Sequence, residues 1–187
     1  MRILRSLTMM AAVTLGGCVT MSTPIEKGYS GPTATLNDSI ELPAGANCGS
    51  FFILREYDGK LVDNALDAST LANAGNGPVM ARTQAYSRPI PVREAAFHIS
   101  AQTHCAAPIQ ELVGTVYIVH GTVRFTPEAD AVYEITGELG PQRGSVWVKN
   151  EKTGAQIGNK LAIEGAPKAS KWNGAMTGHV TEIPPTP

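Results

Sequence analysis

Apolar and polar residues alternate with a period of two through most of the middle of the chain. The alternation is clearest over Val132–Leu139, where Tyr133, Ile135 and Leu139 share one face while glutamate and threonine side chains share the other. Residues 95–104 alternate in the same way. A strand places successive side chains on opposite faces, so each segment predicts a strand with one buried face.

Shorter apolar segments predict further strands. They are residues 36–42, 50–57, 113–119, 122–125, 145–150 and 157–163. The segment 50–57 opens with four consecutive apolar residues, so we expect it to be buried on both faces. Gly121 separates two of the segments and predicts a bulge or a bend, because it lacks side-chain bulk. Residues 67–74 are the one segment that predicts a short helix.

Two turn signals connect these segments. Asp58 and Gly59 form the stronger one, since glycine admits the positive φ that a tight hairpin turn needs. They predict a hairpin whose partner strand contains Leu61 and Val62. Residues 152–154, with the sequence Lys-Thr-Gly, predict a second hairpin.

About eight short strands with turn signals between them indicate a mainly β fold. We expect one domain over residues 36–183, built as an antiparallel β-sandwich or a partly open barrel. On the turns at 58–60 and 152–154, residues 34–163 loosely resemble the small immunoglobulin-like and transthyretin-like sandwich modules of bacterial envelope lipoproteins. This resemblance implies architecture only, because a fold does not fix a function.

The two ends of the chain depart from this pattern. Residues 19–35 are rich in Thr, Ser, Pro and Gly and predict a flexible spacer. Residues 184–187 include three prolines, which lack a backbone donor, and predict an extended tail.

The first residues are typical of a secretory signal, with Arg2 and Arg5 before an uncharged stretch that ends in Leu-Gly-Gly-Cys at 15–18. This tetrapeptide resembles the lipobox of bacterial lipoproteins. The resemblance implies removal of residues 1–17 and acylation of Cys18. The alternative is an ordinary secretory signal that happens to contain a cysteine. A transmembrane helix needs roughly 20 apolar residues, about twice the length of this run.

Acylation of Cys18 would make residues 18–35 a lipidated tether. Acyl chains contribute roughly 0.8 kcal/mol per buried methylene, so two or three of them anchor a protein stably to a membrane. The residue after Cys18 is Val19 rather than aspartate. By resemblance to Gram-negative lipoproteins, this implies the outer membrane.

The charge of the chain argues against nucleic acid as a partner. Removing residues 1–17 takes away two of the 15 Lys and Arg residues and none of the 16 Asp and Glu residues, which changes the formal net charge from −1 to −3. With no basic surplus and no cluster of Lys and Arg, nucleic-acid binding lacks its electrostatic basis.

Cys48 and Cys105 are the two cysteines besides Cys18, and disulfides persist in exported proteins. A bond between them would close a span of 57 residues and contribute up to about 4 kcal/mol. A functional thiol or two unpaired cysteines are the alternatives. Neither cysteine belongs to a CxxC motif, so the sequence carries no redox-enzyme signature.

The histidines do not form a recognisable metal motif. His98 and His104 share a face of one predicted strand, but six residues at about 3.3 Å each separate them by roughly 20 Å. A metal site would need His120 or His179 from another segment. No nucleophile elbow and no phosphate-binding loop is present in the sequence. We therefore assign no catalytic residue, metal ligand or cofactor and expect a protein that is not an enzyme.

The two tryptophans are the candidate contact residues. Trp147 lies between Val146 and Val148, so one face of this strand must hold its apolar group outside the main core. Packing of Trp147 in the core is the favoured interpretation, and an exposed contact patch is the alternative. Trp172 either docks the last segment onto the domain or contacts a partner.

The leading hypothesis is a non-enzymatic, lipid-anchored envelope module that works by contact with an envelope protein or a surface. The alternative is a lipoprotein that binds a small ligand or a metal in a cavity between sheets, and a hydrolase is a more distant one. Contact predicts an exposed apolar patch around a tryptophan, and ligand binding predicts a concave pocket with convergent polar groups. Hydrolysis predicts a nucleophile, a base and an oxyanion donor within reach of one another.

Overall fold

The structure is a computed structural model that describes residues 21–43, 48–75, 82–105, 116–164 and 180–185. The described residues form eleven strands and one helix. In chain order the elements are β1 (Thr33–Asn37), β2 (Ser39–Glu41), β3 (Cys48–Tyr57), β4 (Lys60–Leu61), α1 (Ala65–Ala72), β5 (Ser87–Pro91), β6 (Ala95–Cys105), β7 (Ile118–Phe125), β8 (Val132–Leu139), β9 (Arg143–Asn150), β10 (Gln156–Glu164) and β11 (Val180–Ile183).

The strands form two sheets, which confirms the predicted mainly β fold and favours the sandwich over the barrel. The strand order in the first sheet is β11, β10, β9, β8, β1, β5. In the second sheet it is β2, β3, β6, β7, with β4 paired to β3. The pairing of β1 with β8 is parallel, unlike the all-antiparallel arrangement expected. Because β1 lies between β8 and β5, it is an inner strand of its sheet.

The inner faces of the two sheets meet in one apolar core. The alternation predicted for β6 and β8 is confirmed, since their inward side chains all enter it. The largest members are each at most 2% exposed: Leu36, Phe52, Leu54, Ile90, Phe97, Ile99, Tyr133, Ile135, Leu161 and Ile163. Full burial of such a side chain contributes roughly 1.5–3 kcal/mol relative to an exposed position.

Strand β3 is buried on both faces at its centre, as its run of apolar residues predicts. Phe52 and Leu54 enter the main core. Phe51 and Ile53 point the other way and pack with Ala65 in a second cluster. Since Ala65 is the first residue of α1, the helix covers the outer face of the second sheet beside β3.

Helix α1 begins two residues before the predicted segment 67–74 and ends at Ala72. Its N-terminus is capped by Asn64, whose side-chain oxygen accepts hydrogen bonds from the N–H groups of Leu66 and Asp67 at 3.0 and 3.1 Å. Such a cap satisfies two main-chain donors that have no partner inside the helix. The cap explains why the helix starts at Ala65.

The strand predicted over residues 36–42 is wrong as a single element, because the chain leaves the first sheet after β1 and enters the second sheet as β2. Asp38 lies at the crossing and accepts hydrogen bonds from the N–H groups of Leu54 and Ala65 at 3.0 and 2.8 Å. Its carboxylate also pairs with Arg88 of β5 at 2.5 Å, and the two side chains are 0% and 4% exposed. Asp38 therefore connects the crossing to both sheets, since Leu54 belongs to β3 of the second sheet and Arg88 to β5 of the first.

Both predicted hairpins are present. Asp58 and Gly59 connect β3 to β4 with positive φ angles of 49° and 74°, as a tight hairpin turn requires. The second turn joins β9 to β10 through Gly154, with φ of 70°.

Gly121 does not produce the predicted bulge or bend. Strand β7 passes through it with regular pairing to β6. A Cβ atom on Gly121 would lie 2.9 Å from Leu161 Cδ1, so the missing side chain makes room for close packing between the sheets. The predicted segment 113–119 lies partly outside the described residues, and β7 begins at Ile118.

The edge strands of the first sheet were not predicted. Strand β5 contains Pro89 and Pro91, which lack the N–H group that an inner strand donates. An edge strand forms hydrogen bonds with a neighbour on one side only, so β5 accommodates both prolines. Strand β11 ends at Ile183, and the exposed Pro184 and Pro185 follow it outside any strand.

The chain reaches the sandwich well before β1. Ser22 forms a parallel bridge with Val62, and its N–H and hydroxyl groups both donate to the carbonyl of Leu61, at 2.8 and 2.9 Å. Pro24 is buried. Strand β1 then begins at Thr33. Part of the segment expected to be a spacer is therefore paired with the domain.

Candidate functional site

The predicted disulfide between Cys48 and Cys105 is present. The two cysteines lie directly opposite each other in the antiparallel register of β3 and β6. Their sulfurs are therefore structural. Cys18 and Trp172, the other two residues singled out with them, lie outside the described residues.

Trp147 lies on the outer face of the first sheet, so the favoured prediction of core packing is wrong. Val146 and Val148 are both 0% exposed and fill the core from the opposite face of β9. Because side chains alternate along a strand, burial of both valines directs the indole outward. The sequence left both arrangements open, since either set of side chains is apolar enough for a core.

Trp147 is half-buried, and the side chains around it are mostly polar. Thr136 of β8 lies directly opposite it, and the Nζ atom of Lys160 on β10 lies 3.9 Å from the ring centroid. A cation this close to an indole face is attracted by the electrons of the ring. Two residues further along the same face, Glu134 and Lys149 form an ion pair at 3.3 Å. We call this surface the Trp147 face: a sheet surface with one large aromatic group among short and charged side chains.

A second candidate is the histidine pair, His98 on β6 and His120 on β7. Their ring centroids are 5.2 Å apart and the rings are tilted by 56°. Thr122 lies opposite His98 in the register, and its hydroxyl is 3.2 Å from His98 Nδ1. Burial lowers the pKa of His120, and the nearby His98 and Arg55 act in the same direction.

The spacing of the histidine pair suits a shared metal ion. Two imidazoles bound to zinc at about 2.0–2.1 Å and a tetrahedral angle have ring centroids about 5.2 Å apart. Glu56 of β3 lies opposite His98 in the register. In the described parts of the chain, no group of three or more His, Cys, Asp or Glu side chains is placed to hold a metal ion.

The strand register explains why the sequence did not find the histidine pair. Spacing along β6 separates His98 from His104, whose ring instead packs edge-on against Phe51 at 6.2 Å. His120 approaches only because β7 pairs with β6. His179, the other histidine considered for a site, lies outside the described residues.

A third feature is a shallow groove at one end of the sandwich, with a volume of about 620 Å³. It is lined by Glu41 of β2 and by residues 137–143 at the β8–β9 turn. Glu138 and Arg143 form an ion pair there at 3.3 Å, and both side chains are more than half exposed. The groove is an open rim rather than the enclosed cavity that a small-ligand site between the sheets would need.

Fold and surface together define a two-sheet, disulfide-bonded β-sandwich with an aromatic group on one outer face. The chain matches no family model, no curated protein and no solved structure. Among the residues that the structure describes, no helix is long and apolar enough to cross a bilayer.

Proposed function

We propose that the protein is a lipid-anchored module of the bacterial outer membrane that works without catalysis, by contact with an envelope protein. The lipobox-like sequence before Cys18 supports the anchor. The disulfide between β3 and β6 suits an oxidising compartment outside the cytoplasm.

The outward position of Trp147 is the observation that carries the contact role. Val146 and Val148 already fill the core on the other face of β9, so the indole is not needed there. Tryptophan is enriched among the residues that dominate binding energy at protein interfaces. The Trp147 face is therefore the surface on which we expect the partner to bind.

Replacement of the lipidated cysteine tests the anchor. In the producing bacterium, we expect the full chain to carry a labelled fatty acid and to fractionate with outer membranes. Cys18→Ser should lose the label and leave the membrane fraction, whereas Val19→Ala, which keeps the cysteine, should behave as the parent. A Cys18→Ser chain that stays with the membranes would refute the proposed lipid anchor.

Site-specific photocrosslinking in intact cells tests the contact. A photoreactive residue at position 136 lies opposite Trp147, and the same residue at Leu71, which is 76% exposed on α1, serves as the control. We expect a discrete protein adduct from position 136 alone, and Trp147→Ala should abolish it. Equal adducts from both positions, or an adduct that survives Trp147→Ala, would contradict a contact centred on Trp147.

The histidine pair favours metal binding as a second candidate function. Calorimetric titration with Zn²⁺ or Cu²⁺ should show one site per chain that His98→Ala abolishes. His104→Ala removes a histidine from the same strand and should leave binding intact. Binding that survives loss of either member of the pair would exclude this candidate.

A further inference from the structure

The attachment of the N-terminal segment fixes where a lipid anchor would hold the sandwich. Ser22 is hydrogen-bonded to Leu61 of β4, and Cys18 is four residues before it. A trans peptide chain spans at most about 3.6 Å per residue, so the two α-carbons are at most about 14 Å apart. This link is shorter than the sandwich itself, because β3 has ten residues and extends about 33 Å.

The strand register shows which end of the sandwich this link reaches. We call it the near end. In the second sheet, β4 pairs with the last residues of β3, and the same end holds the start of β6 and the finish of β7. In the first sheet, the N–H of Asp130 donates to the carbonyl of Thr33, and that of Glu151 donates to the carbonyl of Val132. The ring of Tyr133, at the start of β8, packs against that of Phe125, at the end of β7, with centroids 5.5 Å apart. The turns before β8 and after β9 therefore lie at the near end too.

The far end is the opposite end of the same strands. The disulfide joins the first residue of β3 to the last residue of β6 there. The β8–β9 turn and the groove beside Glu41 also belong to the far end.

Three of the six large apolar side chains that are exposed among the described residues lie at the near end: Met21, Tyr29 and Val132. Of the other three, Ile183 lies opposite Lys160 in the middle of β10, Leu42 follows β2 at the far end, and Leu71 belongs to α1.

Two cations at the near end are paired with carboxylates. Arg93 pairs with Asp58 at 2.7 Å, and Lys60 with Glu26 at 3.5 Å. Arg124 near the end of β7 and Lys152 in the turn after β9 are further cations at this end. Acyl chains, apolar side chains and attraction to anionic lipid can therefore all contribute to contact of this end with a membrane.

We propose that the near end lies against the membrane surface in the lipidated protein, so that the groove at the far end is displayed roughly 30 Å further out. The short link keeps Ser22 within about 14 Å of Cys18, and the exposed apolar side chains of the near end meet the lipid. This inference rests on the proposed acylation of Cys18.

Depth-dependent fluorescence quenching tests the orientation. Cys18 is acylated and the other two cysteines are bonded, so one introduced cysteine can be labelled alone. Lys60→Cys marks the near end and Gln142→Cys marks the far end, and both positions are exposed. The lipidated full chain is reconstituted into phosphatidylcholine vesicles that contain lipid with a nitroxide headgroup. We expect severalfold stronger quenching of the label at position 60 than of the label at position 142.

The outcomes separate the orientation from the anchor. Protein that does not float with the vesicles would refute acylation. Protein that floats but shows equal quenching at the two positions, or stronger quenching at position 142, would refute the orientation alone. A ten-residue Gly-Ser insertion between Thr20 and Met21 should make the quenching of the two labels similar. An unchanged difference in quenching would overturn the role of the short link.

Discussion

The buried pair of Asp38 and Arg88 allows a quantitative test of how the two sheets are joined. The carboxylate accepts hydrogen bonds from two main-chain N–H groups and from Arg88. Within the described part of the chain, Arg88 Nε and Nη1 have no hydrogen-bond partner, and the guanidinium carbon lies 4.8 Å from the ring centroid of Tyr86. Burial raises the pKa of Asp38, whereas Arg88 and the two N–H groups lower it.

Asp38→Ala removes the counter-charge of the guanidinium and the acceptor of two buried N–H groups. Breaking a buried ion pair costs about 3–5 kcal/mol, and each buried donor left unsatisfied costs about 1–3 kcal/mol. We expect the free energy of unfolding to fall by at least about 4 kcal/mol, since partial relaxation lets water reach some of these groups. Asp38→Asn keeps one side-chain oxygen as an acceptor and should lose less.

Urea unfolding followed by circular dichroism measures this difference, provided that the slope with denaturant stays constant. Glu138→Ala is the matched control, because it removes a carboxylate from the exposed ion pair with Arg143 and should cost less than about 1 kcal/mol. An Asp38→Ala chain no less stable than this control would refute the view that the buried pair joins the layers.

Three further outcomes follow from the packing and the charges. Gly137→Ala places a Cβ against the carbonyl of Ser145 and 2.6 Å from Phe52 Cε1, so it should lower the free energy of unfolding by about 1–3 kcal/mol or more, whereas Gly140→Ala, with no atom nearer than 3.9 Å, should not. Equal urea midpoints for the two variants would contradict this. The pKa of His120 is lowered from its ordinary 6.5 in the folded protein, so on acidification the unfolded chain binds a proton at this position before the folded chain does. The contribution of neutral His120 to the free energy of unfolding is therefore fully present above about pH 6.5 and is lost as the pH falls below it. His120→Asn should weaken the dependence of the melting temperature on pH in this range, and an unchanged pH dependence would contradict the assignment to His120. Reduction of the disulfide should lower the free energy of unfolding by up to about 4 kcal/mol in the same urea assay, and no decrease would show that the bond adds nothing.

Alternation and turn chemistry were enough to predict several of the strands and both hairpin turns. Val132–Leu139 is a strand with the predicted bounds, and the turn at Asp58 and Gly59 has the positive φ angles that the glycine suggested. These features depend on neighbours in sequence, which a period of two and a turn residue report directly.

The features that failed depend on neighbours in space. Over residues 36–42 the polar Asp38 takes a position that the alternation would make apolar, but this interruption does not by itself show that the chain changes sheets there. At Trp147 each face of the strand carries an apolar group, the indole on one face and two valines on the other, and the packing of the opposite sheet decides which group is inside. His120 reaches His98 through the pairing of β6 with β7, which spacing along one segment does not reveal.

The parallel pairing of β1 with β8 has a consequence for folding. Its partners, such as Thr35 and Val132, are 97 positions apart in the chain. Pairings of such long range raise the contact order, which slows folding because a large loop must close before the contact forms. If the chain crosses a membrane from its N-terminus, β1 emerges first but has no parallel partner until β8 has crossed. The first sheet therefore cannot form completely until β8 is available, and in such a crossing most of the chain would have to be across the membrane before it can fold.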